Sequence, residues 1–212
     1  MRHLTTALHS ITSAILAIAL GASAFAAMPV PRPSKEFTFI QPDGKQMLLS
    51  SLKGKVVLIQ FLYTTCPHCQ ALSRELTKLS AELGPNCQIM GVAFEEDNPA
   101  QEATAAASYK RTYGVNFPVA YATRDTVMSY LGLSVMDRFV VPQVAIIDKK
   151  GIIQAQSAAQ GTADLQTPEY LRTFIKGLMN GGGGNGTGTG PGAGKSTPPN
   201  TKPGTPTEKK TT

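Results

Sequence analysis

The chain has 212 residues, 42% of them hydrophobic, and a formal net charge of +6, which is room for one ordinary domain with appendages and enough apolar mass for a core. Three cysteines are too few for a scaffold built on disulfides. The basicity points to no nucleic acid, because its basic residues do not cluster with aromatics, and half of it (four lysines against one glutamate) sits in residues 180–212.

In chain order, Arg2 precedes an apolar stretch from Ile11 to Leu20 and small residues ending Ala24-Phe25-Ala26-Ala27. That layout predicts a cleavable secretory signal over residues 1–26 and a periplasmic or otherwise exported protein. The alternative is an uncleaved membrane anchor, against which the apolar run is shorter than the roughly 20 residues that span a bilayer. Outside the cytosol thiols can be held oxidised, so a disulfide becomes chemically reasonable.

Residues 37–55 predict a hairpin around the turn Pro42-Asp43-Gly44, followed by a loop. "VVLIQFLY" (56–63) is a continuous β-branched and aromatic run, the pattern of a strand buried on both faces. Cys69, Leu72, Leu76, Leu79 and Leu83 then recur at steps of three and four and predict an amphipathic helix closed by Gly84-Pro85. A second buried strand (88–94), an alanine-rich helix (99–113) stopped by Gly114, a strand (117–122) and a short helix (125–131) follow. The last elements are a strand (143–148), a Lys149-Lys150-Gly151 turn, a strand (152–158) and a helix (165–179). Strands and helices alternating in this order predict an α/β domain over residues 27–179, with a central sheet and helices on both faces.

Residues 180–212 hold ten of the twenty glycines and five of the fifteen prolines, and no aliphatic residue larger than alanine. Such a segment cannot bury enough apolar surface to offset its ordering entropy and is expected to be a disordered tail. Its lysines could rest weakly on an anionic membrane surface. "GPGAGKST" within it is not a phosphate loop, since Thr189 stands where that motif needs its first glycine.

The chemistry of the chain concentrates in Cys66-Pro67-His68-Cys69, where the buried strand ends and the helix begins. Pro67 suits the first helical position, having no N–H to leave unsatisfied. A thiol at that junction faces free backbone N–H groups and the positive end of the helix dipole, which favour thiolate. Cys69, one turn on, lies on the same face, so Cys66 is expected to attack and Cys69 to resolve. Haem attachment would need His after the second cysteine, where Gln70 stands. A zinc site would need four ligands, and no second paired cluster exists. A thiol peroxidase would need Thr three residues before its cysteine, where Tyr63 stands. Cu(I) delivery by the two thiolates is the alternative that remains, since soft sulfur suits that ion. Cys87, opening the second strand, is expected to be a buried, inert thiol.

Taken together, the strand, Cys-Pro-His-Cys, the helix, "GVAFEED", "YGVNFP" and "VVPQVAIIDKKG" resemble the thioredoxin fold. The closer similarity is to the exported thiol-disulfide oxidoreductases of the TlpA and ResA type, related to redoxins. The resemblance covers about residues 35–178 and implies a central mixed sheet, an active disulfide at a helix start, and a cis-proline loop packed against it. That loop maps to Val141-Pro142, with Val141 implied to bind the substrate backbone. The implied partners are protein thiols or disulfides and a redox partner that recycles the pair, with cytochrome c maturation as one setting, and no cofactor or metal is implied.

Two positions depart from the pattern. Gln60 stands where thioredoxins have a buried Asp that helps move a proton, which shifts that role to water or to Glu95 or Glu96. The dipeptide is the second: Cys-Pro-His-Cys is the motif of DsbA-type oxidants, whereas the fold branch implies reduction. His68 beside the Cys66 sulfur is expected to stabilise thiolate, together with Pro67, and so to push the pair toward the oxidising direction.

Overall fold

The structure is a computed structural model that describes residues 28–95, 98–134 and 136–181. The expected signal (1–26), the start of the expected domain at Ala27, Glu96, and all of the expected tail except Asn180 and Gly181 lie outside the described residues.

Eight strands and four helices are described: β1 (Arg32–Pro33), β2 (Thr38–Ile40), β3 (Gln46–Leu48), β4 (Val56–Leu62), α1 (Pro67–Leu83), β5 (Cys87–Ala93), α2 (Pro99–Thr112), β6 (Val119–Tyr121), α3 (Arg124–Leu131), β7 (Gln143–Ile147), β8 (Ile152–Gln156) and α4 (Pro168–Met179). The strands form one mixed sheet in the order β1-β8-β7-β4-β5-β6-β2-β3. β4, β5 and β6 run parallel, while β7 lies antiparallel on the other side of β4 and pairs with β8 as a hairpin. The mixed sheet expected from the sequence is therefore present, and so is the early hairpin: β2 and β3 pair antiparallel around Gly44, whose φ of 82° needs a residue without a Cβ.

All seven residues of β4 are buried, as a strand covered on both faces requires. Its alternating side chains feed two cores. Val56, Leu58 and Leu62 join Leu72, Leu76 and Leu79 of α1, Ala106 and Tyr109 of α2, and Leu171 and Ile175 of α4. Val57, Ile59 and Phe61 join Phe37, Phe39, and Val127 and Tyr130 of α3. Helices thus cover both faces, three on one and α3 on the other.

Most boundaries shift by a residue or two, and two differences are larger. The last helix starts at Pro168, not 165, because proline takes the first helical position and residues 164–166 form a separate 3-10 turn. The two-residue edge strand β1 has no periodicity to read and exists through its pairing with Ile152 and Ile153. At the other end of the chain, Lys149 Nζ donates to the carbonyl of Met179 at 2.5 Å, holding the end of α4 to the β7–β8 turn.

Candidate active site

The parallel strands β4 and β5 end side by side at Leu62 and Ala93, and the chain leaves β4 through Tyr63–Thr65 into α1. Cys66 is the N-cap of α1, in an extended conformation (φ −77°, ψ 117°), and Pro67 fills the first turn. The Cys66 sulfur accepts the backbone N–H of Cys69 at 3.3 Å. An N-cap acceptor of this kind satisfies one of the helix's orphan donors and draws electron density from sulfur. The sulfur is half-exposed, while Cys69 is fully buried and Cys87 nearly so.

Burial, followed by the hydrogen bond with Cys66 and the nearby charge of Glu95, pushes the Cys69 thiol well above the ordinary thiol range. Burial alone pushes Cys87 up, to about 12. The two cysteines of the motif are therefore unlike: one sulfur open at a helix start, the other protonated beneath it.

The opposing wall is the segment before β7. The Val141–Pro142 peptide is cis, as the resemblance implied. The Cys66 thiol donates to the Val141 carbonyl at 3.7 Å, so this loop lies directly against the reactive sulfur. Pro142 is buried, and Val141 is half-buried between both cores.

Beneath the first turn of α1 runs a buried polar chain. Gln60 Nε2 donates to the carbonyl of Cys69 at 2.9 Å, and Gln60 Oε1 accepts from the Ser73 hydroxyl at 2.8 Å. That hydroxyl lies 2.8 Å from the Tyr109 hydroxyl of α2. Beside the motif, the Glu95 carboxylate accepts both the backbone N–H and the hydroxyl of Thr64, and Gln70 donates to the Thr64 carbonyl at 3.0 Å. His68 is exposed, and among the described residues its imidazole makes no hydrogen bond to either sulfur. Among the same residues, no group of three or more His, Cys, Asp and Glu could hold a metal ion.

A helix-capping cysteine, a second thiol one turn on and a cis-proline loop facing them can be set beside known families, and the model described as Redoxin matches residues 26–172. The chain belongs to the Redoxin family. Among curated relatives of this Redoxin chain, the thiol-disulfide oxidoreductase ResA of Bacillus thuringiensis is 26% identical over 149 residues, 70% of this chain and 78% of the relative. The thiol:disulfide interchange protein DsbE of Pseudomonas aeruginosa is 31% identical over 124 residues, 58% and 62% of the two chains. A crystal structure of a thioredoxin-family thiol:disulfide interchange protein from Chlorobium tepidum superposes with a TM-score of 0.57 over 72% of this chain and 99% of that one, at 21% identity, which establishes the thioredoxin-like fold.

Within this Redoxin chain the structure brings together Cys66, Pro67, Cys69, Val141 and Pro142, and sets Glu95 within electrostatic reach of Cys69. His68 shares the turn but points to solvent-exposed surface, and Cys87 lies in the core below. Sequence reasoning saw Gln60 only as a missing acid and did not find Ser73 or Tyr109. A buried serine on a helix that is otherwise leucine-lined was the signal for that network.

Proposed function

We propose that this protein carries out thiol–disulfide exchange on exported polypeptides through Cys66 and Cys69, with residues 1–26 as the export signal. The observation that carries it is the pair of unlike thiols: Cys66 half-open at a helix start and holding the N–H of Cys69, and Cys69 buried and kept protonated until it is needed. In the reducing direction the Cys66 thiolate attacks one sulfur of a substrate disulfide, and the other sulfur leaves as a thiolate that takes up a proton. Cys69 then loses its proton and attacks the Cys66 sulfur. The Cys66–Cys69 bond forms, the mixed disulfide breaks, and the substrate leaves reduced by two electrons. A dithiol partner must return those electrons to the pair.

Glu95 is the carboxylate whose charge reaches Cys69, and it is assigned here as the acceptor of the Cys69 proton. Val141 holds the substrate backbone beside the sulfur, with Pro142 fixing the loop. The reducing direction is the one proposed, as the TlpA and ResA resemblance implies, while the Cys-Pro-His-Cys dipeptide weighs toward the oxidising one. Relatives named for disulfide exchange weigh toward this reading over Cu(I) delivery.

Two measurements test it. A Cys69→Ala variant should accumulate mixed disulfides through Cys66 with polypeptides of an exported-protein extract; tight Cu(I) binding with no trapped partner would favour copper delivery instead. The reduction potential against glutathione should fall near the thioredoxin value of about −270 mV, and a value near about −120 mV would reverse the direction.

A further inference from the structure

Arg124 ties together the two walls that flank the reactive sulfur. Its guanidinium donates to the Tyr63 hydroxyl at 2.8 Å and lies over the Phe139 ring, 4.8 Å from its centroid. Tyr63 belongs to the turn that leads into the motif, where its carbonyl accepts the Cys66 N–H at 3.1 Å. Phe139 lies two residues before Val141, on the loop that faces Cys66. The rings of Tyr63, Phe94 and Phe139 pack into one cluster, with centroids 4.9 to 6.4 Å apart. The guanidinium is therefore fixed in position on a rigid aromatic base, with its charge turned to solvent.

Helix stability does not explain that charge. Arg124 is the first residue of α3, directly after the Thr123 cap, where the helix dipole disfavours a cation. Among the described residues no carboxylate pairs with it, although it is exposed. The hydrogen bond and ring contact hold the guanidinium in place but give its charge no counter-ion among the described residues, and a residue that breaks a local rule is where function is expected.

We propose that Arg124 is a specificity-determining residue, which receives an acidic side chain of the substrate polypeptide close to the cysteine that reacts with Cys66. The inference rests on the exchange reading. A substrate strand laid along Val141 runs beside the Tyr63–Phe139 cluster, two residues from Phe139, so a carboxylate near its cysteine meets a preorganised guanidinium that has no competing partner among the described residues. The aromatic base spares the ordering entropy that an ordinary surface arginine would lose on pairing.

The test uses the reduced protein and three amidated peptides, each with a central cysteine in a disulfide with mercaptoethanol and flanked by Glu, Gln or Lys. Rates are divided by those of free dithiothreitol with the same peptide, which removes intrinsic reactivity. The expected result is a single-turnover second-order rate constant for the Glu peptide about fivefold above that for the Lys peptide at low salt, shrinking toward unity at about 1 M salt. Arg124→Gln should remove the preference, Arg124→Glu should invert it and Arg124→Lys should retain part of it. Lys150→Glu, an equal charge change in the β7–β8 turn, should leave it in place. A wild-type ratio near one, a ratio that survives Arg124→Glu, or equal effects of Lys150→Glu and Arg124→Glu would overturn the proposal. Failure of the wild type to react with any of the three would overturn the exchange reading and this proposal with it.

Discussion

Gln60 shows how much one amide can decide. It gives its N–H to the Cys69 carbonyl and takes the Ser73 hydroxyl, so it must be donor and acceptor at once in a fully buried place. A carboxylate there could accept from Ser73 but would set its lone pairs against the Cys69 carbonyl; only the protonated acid satisfies both. Gln60→Glu should therefore be destabilised by about 1–3 kcal/mol near neutral pH. The loss should recover as the pH falls, because burial holds the introduced acid protonated in the folded state above its ordinary pKa of about 4.3. Comparison of urea midpoints at acid and neutral pH checks this, and equal losses at both would refute it. The cysteines could be read from sequence because their spacing and their position after a buried run are local. The Gln60–Ser73–Tyr109 chain could not, since its members stand 13 and 36 residues apart and only the packing of α1 and α2 on the sheet brings them together.

At the scale of elements, legibility follows punctuation. α1 and α2 were placed to within a residue or two because Pro67 and Gly84, then Pro99 and Gly114, mark their ends. The edge strand β1, only Arg32–Pro33, is too short to show a periodicity, whatever prolines mark it. The two helices differ in what holds them. α1 buries four leucines, and Leu76, fully buried between sheet and α4, should cost about 2–5 kcal/mol as Leu76→Ala. α2 presents little beyond Glu102, Ala106 and Tyr109 to the core, so its cap matters more. The Asn98 side chain accepts from the N–H groups of Ala100 and Gln101 at 2.9 and 3.4 Å. Asn98→Ala should cost about 1 kcal/mol by denaturant titration, and a loss as large as that of Leu76→Ala would contradict this ranking.

For the molecule as a whole, the buried thiols couple redox state to stability. Cys69 is raised by burial, Cys66 and Glu95, and Cys87 is raised to about 12 by burial. Below the pH at which an unfolded thiol ionises, about 8.5, folded and unfolded chains hold these protons alike. Above it the unfolded chain releases protons that the folded chain keeps, so stability falls by about 1.4 kcal/mol per pH unit for each thiol. That loss continues until the folded thiols themselves ionise, for Cys87 at about 12. The reduced protein should thus lose urea resistance steeply between about pH 8.5 and 10, below the range in which the buried Tyr109 and Tyr130 hydroxyls add to the loss, while Cys87→Ala, or oxidation of the Cys66–Cys69 pair, should about halve the slope. Parallel slopes for all three would show that these thiols are not the cause.

The Lys149–Met179 bond has a practical meaning for how the molecule could be held. Because β7 runs against β4, its far end pairs Ile147 with Val57, at the opposite pole of the sheet from Leu62 and Cys66. The end of α4, bonded to the turn beyond Ile147, leaves the domain at that same pole. A tether, label or solid support joined directly at Gly181 is attached behind the domain, and the sulfur lies at the pole away from it, as a lamp faces away from its bracket.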